Sequence, residues 1–97
     1  MRQNFKDVYS VLKEWRARNK VPGYTVFVTG KVIRLTKYSY ANLMLISDSQ
    51  GLNVRIVDGN MVTDVQIGDK VWVKGEANFS DVAGLYLKSE YIQTNRY

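Results

Sequence analysis

Ninety-seven residues with a formal net charge of +5, no cysteine and no histidine describe one domain with a modest core and no room for a separate catalytic unit. The missing cysteines exclude disulfides and thiolate metal sites, and the missing histidines remove the usual general base near neutral pH and the commonest metal ligand. Residues 1–47 carry nine Lys/Arg against two acids and residues 48–97 five against seven, which points to a polyanionic partner for the first half, with a merely solvated basic face as the alternative.

From Asn4 to about Asn19, apolar residues fall at Phe5, Val8, Leu12 and Trp15, with Tyr9 and Val11 beside them, the spacing of a helix with one apolar stripe. Lys6, Lys13, Glu14, Arg16 and Arg18 fill the other sides. Asn4 is placed to cap the start, and NKVPG (residues 19–23) supplies a polar end and a Pro-Gly breaker. Residues 1–20 are thus expected to hold one amphipathic helix. The opening MRQNFKDVYSVLKEW mixes charge with apolar residues, unlike a signal peptide, and no apolar run approaches the roughly 20 residues of a membrane span. A soluble, intracellular protein, of cytoplasm or nucleoid/nucleus, without membrane association is expected.

After Gly23 the period changes from that of a helix to that of a strand. In YTVFVTGKVIRL, Val26, Val28 and Val32 share one face, and Phe27, Thr29, Lys31 and Ile33 the other. Further strands are expected from about Tyr40 to Ser47, Leu52 to Val57, Lys70 to Ala77 and Leu85 to Ile92, separated by the turn-like DSQG, VDGN, QIGD and SDVAG. One internal echo, VFVTGK at residues 26–31 and VWVKGE at residues 71–76, places a glycine in the same phase of two strands. A glycine inside a strand marks a bulge, a bend or a close backbone approach, so Gly30 and Gly75 are expected to be structural and their strands to be neighbours in a small closed sheet. Closure would bury the apolar faces and remove exposed edges. The expected fold is mainly β, a five-stranded barrel with one N-terminal α-helix, in a single domain.

Three stretches carry a resemblance: VFVTGKVIRL as a long, glycine-bent first strand, LMLISDSQGLNVRIV as two strands around an Asp-to-Gly hairpin, and IGDKVWVKGEA as a fourth strand. They resemble the OB-fold nucleic-acid-binding domains of single-strand-binding proteins and anticodon-binding modules, over residues 24–93. Such domains often place a helix between strands three and four. Here DGNMVTDVQIG is too short and turn-bounded for one, so the N-terminal helix is expected to plug the barrel with Phe5, Leu12 and Trp15; docking on a partner protein is the alternative. Residues 21–97 are nearly neutral, with eight bases against seven acids, so strong sequence-independent binding to a long duplex is not expected.

The resemblance implies a ligand across the outer face of strands two and three, between the first hairpin loop and the loop joining strands four and five. With Val54 and Ile56 inward, Asn53, Arg55 and Val57 face that ligand. Placing Met44 and Ile46 inside leaves Leu43 and Leu45 outside, the opposite register being the alternative. Single strands are held by cations that track phosphates and by aromatic faces on which bases stack. Lys31, Arg34 and Lys37 lead into the first hairpin, with Tyr38 and Tyr40 at its tip; Arg55 lies on the facing strand; and Trp72, Lys74, Phe79, Tyr86 and Lys88 come from strands four and five and their loop. Each aromatic has a structural alternative: Tyr40 as a half-buried strand opener, Phe79 as a loop anchor folded back on the barrel, and Trp72 with Phe27 beneath the N-terminal helix.

Asp48, Asp58, Asp64 and Asp69 sit at or next to turns, which accounts for them without chemistry. The nucleotidyltransferase motif Lys-x-Asp-Gly that accompanies some OB domains is broken in RIVDG, where Ile56 replaces the lysine, and no phosphate-cradling glycine loop is present. The expected protein is a non-enzyme without a cofactor that binds single-stranded nucleic acid, DNA rather than RNA, with low sequence specificity, in replication, recombination or repair. The alternative is a protein-protein adaptor that docks, or self-associates, through its basic helix or through Leu43 and Leu45 of strand two.

Overall fold

The computed structural model describes residues 4–60 and 64–95. Helix α1 spans Val8–Ala17, later in its start and earlier in its end than the apolar spacing predicts, and its N-cap is Asp7 rather than Asn4. The reason is a competing backbone pairing: Lys6 lies beside Val28 as a parallel bridge, donating to the Phe27 carbonyl (3.0 Å) and accepting from the Thr29 amide (2.8 Å). That extended conformation sets Phe5 edge-on to Phe27, with ring centroids 5.3 Å apart. At the other end Asn19 and Lys20 adopt positive φ, and the Lys20 amide returns to the Trp15 carbonyl (2.9 Å), satisfying carbonyls of the last turn before Pro22.

The helix buries Val8, Val11 and Trp15 in the same cluster as the barrel interior, with Leu12 packed partly buried against it. It lies against the barrel through β1 and β3, and the Tyr9 amide donates to Asp48 at 2.7 Å. Trp15 and Leu12 therefore contribute to the core as expected, whereas Phe5 packs beside it on Phe27. The buried stripe has moved from Leu12 to Val11.

Asp7 accepts from the Ser10 amide at 2.8 Å, and hydrogen bonds from the Ser10 side chain and backbone hold its carboxyl below the ordinary aspartate value. A folded-state pKa that is depressed stabilises the fold above the unfolded-state value, near 3.8, and that contribution is lost as the pH falls below that value and through the lower folded-state pKa. Asp7→Ala is expected to lower the melting temperature by about 5 °C at neutral pH, the equivalent of about 1 kcal/mol for a lost cap. Thermal melts in acid should show the gap to the wild type closing; a gap of the same size there would contradict the capping role.

Strand β1 (Thr25–Lys37) serves two partners. Its first half pairs antiparallel with β4 (Lys70–Ser80), and its second half with β2 (Asn42–Ser47). The hairpin continues into β3 (Asn53–Asp58), and β5 (Gly84–Thr94) pairs antiparallel with β4 and parallel with β3 over residues 55–57. The result is a closed barrel in the order β1-β2-β3-β5-β4, mainly β with one helix. Val26, Val28 and Val32, Met44 and Ile46, Val54 and Ile56, and Leu85 and Leu87 point inward, which settles the register of β2 with Leu43 and Leu45 outside. Residues 64–69, between β3 and β4, form turns and contribute Val65 to the core; residues 61–63 of that expected helix-free connection lie outside the described residues.

The echoing strands are neighbours, and their echoes pair with each other: Val26 stands opposite Gly75 and Gly30 opposite Val71. Both glycines are buried where a third strand crosses closely, Gly30 against the Ser47 carbonyl of β2 and Gly75 against the Lys88 carbonyl of β5.

Two bulges then decide which residues face outward. In β1 the pairing slips at Ile33, so even-numbered residues point inward up to Val32 but outward from Arg34 to Thr36, while Leu35 packs on the core. In β5 the slip falls at Glu90, turning the inward phase from Leu85 and Leu87 to Ile92 and Thr94.

Candidate nucleic-acid interface

Two rows of side chains cross the outer face of β1, β2, β3 and β5. Strand pairing aligns Arg34, Leu45, Arg55 and Tyr86 in one row and Thr36, Leu43, Val57 and Lys88 in the next. At the usual strand spacing each row spans about 14 Å. The apolar centre, Leu43, Leu45 and Val57, is flanked by cations on both sides. Together with loop residues these rows line an open cleft of about 650 Å³.

One wall comes from the loop between β1 and β2, where Tyr38 and Tyr40 stack on each other with centroids 5.6 Å apart and planes at 20°. The Tyr38 amide donates to the Ala41 carbonyl (2.9 Å), closing the loop so that Ala41 and Asn42 are buried while the rings stay out. Tyr40 is 72% exposed and Tyr38 44%. Tyr40 is therefore a loop residue and not the half-buried opener of β2, which begins at Asn42. The opposite wall is Ser80, the last residue of β4, and Ala83 of the loop between β4 and β5.

The electrostatics are one-signed. Arg34, Arg55 and Lys88 line the cleft, its lining holds no carboxylate, and among the described residues none of the three makes an ion pair. Four other cations of the basic first half are engaged elsewhere: Lys6 and Arg18 both pair with Glu14, at 3.2 and 3.1 Å, Lys13 lies over the Tyr9 ring, and Lys20 over Trp15. The charge excess seen along the chain is thus divided between the helix and the cleft.

Of the residues singled out from the sequence, Arg34, Tyr38, Tyr40, Arg55, Tyr86 and Lys88 come together here. The other five do not. Lys37 is exposed at the end of β1, outside the cleft lining. Phe79 lies on β4 rather than in a loop, and its ring packs on Trp15 at 5.6 Å, so it anchors strand to helix. Lys31, Trp72 and Lys74 point out from the paired halves of β1 and β4 on a separate face; Lys74 bridges to Glu90 at 3.2 Å. Phe27 lies beneath Phe5 there, rather than beneath α1. Thr36, Ser80 and Ala83 line the cleft without having been singled out. Thr36 alone had a signal, its alternation with Arg34; Ser80 and Ala83 are placed only by closure of the barrel.

No protein-family model and no curated protein sequence matches the chain. Solved structures do match in three dimensions. A chain of the S. pombe Stn1-Ten1 complex superposes with a TM-score of 0.64 at 16% identity, over 79% of this chain and 60% of that one, so this chain spans less than two thirds of its length. A chain from the structure of OBody AM3L09 bound to hen egg-white lysozyme gives a TM-score of 0.67 at 22% identity, covering 75% of this chain and 82% of that one. The corresponding structure with OBody AM1L10 gives 0.64 at 24% identity, covering 75% and 79%. Strand order and superposition agree: the chain is an OB-fold domain.

Proposed function

We propose that this OB domain is a non-catalytic binder of single-stranded nucleic acid, DNA in preference to RNA, with low sequence specificity. The observation that carries the reading is the cleft itself, an apolar floor between Arg34, Arg55 and Lys88, cations without an ion pair among the described residues, with a stacked tyrosine pair at its rim. Phosphates take the cations and unstacked bases take the floor and rings; apolar and aromatic surfaces accept any base, so specificity is low. A role in replication, recombination or repair belongs to the same proposal, and the likeness to a chain of the Stn1-Ten1 complex supports a place in an assembly with protein partners. Leu43 and Leu45, the positions on which self-association would rest, are only half exposed and lie between cations, which favours a polyanion over an apolar partner at this face.

Titration of fluorescent oligo-dT and oligo-U at two salt concentrations tests the proposal. Three phosphate contacts to a single strand give a slope of log affinity against log salt of about −2. Tyr38→Ala and Tyr40→Ala should each weaken binding by about tenfold or more, the value of one stacked base. Oligonucleotides that fail to bind at low salt would end this reading in favour of an adaptor.

A further inference from the structure

One buried carboxylate lies directly behind the cleft. Asp58, the last residue of β3, is fully buried, and opposite it in the strand pairing stands Asn42, the first residue of β2, itself 2% exposed. Both continue the inward phase of their strands, Asp58 after Val54 and Ile56 and Asn42 before Met44 and Ile46, so a polar layer follows the apolar core at this level. The Asp58 carboxylate accepts from the Asn60 amide and from Ser89 Oγ of β5, each at 3.0 Å. Asn60 in turn donates its side-chain amide to the Glu90 carbonyl (3.0 Å), at the β5 bulge. A turn accounts for the bond from Asn60, but not for a carboxylate without exposure that reaches across to a second strand.

The three residues share one relation to the cleft. Asn42 precedes Leu43, Asp58 follows Val57 and Ser89 follows Lys88, and Leu43, Val57 and Lys88 form the second row of the floor with Thr36. Successive side chains of a strand point to opposite faces, so the buried layer lies immediately behind that row. Asn42 also follows Ala41, whose carbonyl closes the loop that carries Tyr38 and Tyr40.

We infer, resting on the reading of the cleft as a single-strand site, that Asp58 is a positioning residue for it. Its carboxylate fixes β5 against β3 beside the first residue of β2, and so sets where Lys88 and the tyrosine pair meet the ligand. A buried carboxylate is costly unless its hydrogen bonds are made, which restricts the three strands to the arrangement that supplies its donors. Apolar packing alone tolerates small slides between strands, whereas a donor and acceptor that must stay about 3 Å apart do not. Asp58, Asn42 and Ser89 do not line the cleft, so their action on a ligand passes through the row in front of them.

Asp58→Ala is expected to weaken oligo-dT binding by about tenfold, the value of one misplaced stacking contact, at a temperature where melts show the variant folded. In a background of Tyr38→Ala, Tyr40→Ala and Lys88→Ala the same change should cost less than about threefold, whereas with Arg34→Ala, in the other row, its effect should add in full. Ser89→Ala removes one donor and leaves the Asn60 bond; it should show the same pattern at about threefold, and it stands in for Asp58→Ala if that variant does not fold. A nuclear Overhauser contact between the Tyr38 and Tyr40 rings, present in the wild type and weakened in the variants, reports the positioning without ligand. A lowered melting temperature with affinity unchanged, or a loss of affinity that persists in full in the triple background, would overturn the positioning role and leave the cleft proposal standing. Wild-type protein that binds no oligo-dT, with the ring contact still dependent on Asp58, would end the cleft proposal and keep Asp58 as the anchor of the tyrosine loop.

Discussion

Arg34→Glu combined with Arg55→Glu is expected to weaken oligo-dT binding at the cleft by roughly a hundredfold or more at low salt, while the melting temperature stays within a few degrees of the wild type. The two guanidiniums stand on either side of Leu45, two strand spacings or about 10 Å apart, and among the described residues neither carries an ion pair that its loss would orphan. Reversal leaves Lys88 as the sole cation among the cleft-lining residues and adds two carboxylates to a floor that held none. The effect is thus the loss of two contacts plus repulsion of the phosphates that made them. Arg34→Lys with Arg55→Lys separates charge from geometry. It keeps both charges and gives up the planar fork, so it should recover most of the affinity if charge dominates and little if bidentate contact does. The measurement is made with a probe that reports the cleft, such as Tyr40 environment or an oligonucleotide short enough to fill one site. A change of less than about threefold in that readout would remove Arg34 and Arg55 from the interface.

The largest effect on stability is expected at the echoing glycines. A Cβ built on Gly30 falls 2.8 Å from the Ser47 carbonyl oxygen, and one on Gly75 falls 2.9 Å from that of Lys88. Both obstacles are backbone atoms of paired strands, so relief requires parting the ladder and not merely turning a side chain. Gly30→Ala or Gly75→Ala should each destabilise by about 3 kcal/mol, lowering the melting temperature by roughly 15 °C. Against a total of about 5–15 kcal/mol for a domain, either change approaches the limit of folding. Gly59→Ala is the control: nothing lies within 4 Å of its Cβ, so thermal or urea melts should move little. Equal melting temperatures for Gly30→Ala and Gly59→Ala would sink the argument from close approach.

Much of the fold was legible because its signals are local. The change from a helical to a two-residue period at Gly23, the turn residues between apolar runs and the repeated Val-aromatic-Val-polar-Gly pattern identify the helix, the strands and the neighbouring relation of β1 and β4. Element ends were less legible. Lys6 and Phe5 fit the helical stripe as well as they fit a strand, and only the backbone of Val28 beside Lys6 turns them away from the helix. Phe79 looks like a loop aromatic because nothing near it in sequence foretells Trp15, which lies on α1.

The site divides in the same way. Tyr38, Tyr40 and Arg55 could be placed from the sequence, since a hairpin tip and a strand with clear alternation put their side chains out. Arg34 could not. Continued alternation from Val26, Val28 and Val32 would send it into the core, and it faces the cleft only because the bulge at Ile33 reverses the phase of β1. A bulge is a property of two paired strands, invisible in either alone. So is the bulge at Glu90, which places Tyr91 beside Trp72's face rather than inside.

By itself, then, the sequence determined a mainly β domain with one amphipathic helix, two glycines in the same phase of two strands, and a supply of cations and aromatic rings fit for single strands. Periodicity and composition act within a few residues, and they suffice for that. Tertiary structure alone decided how the supply was shared: Arg34, Arg55, Lys88 and the tyrosine pair to the cleft, and Lys31, Lys70 and Trp72 to a second face. Closing a barrel sends neighbouring strands to different sides, and no local pattern records which side that is.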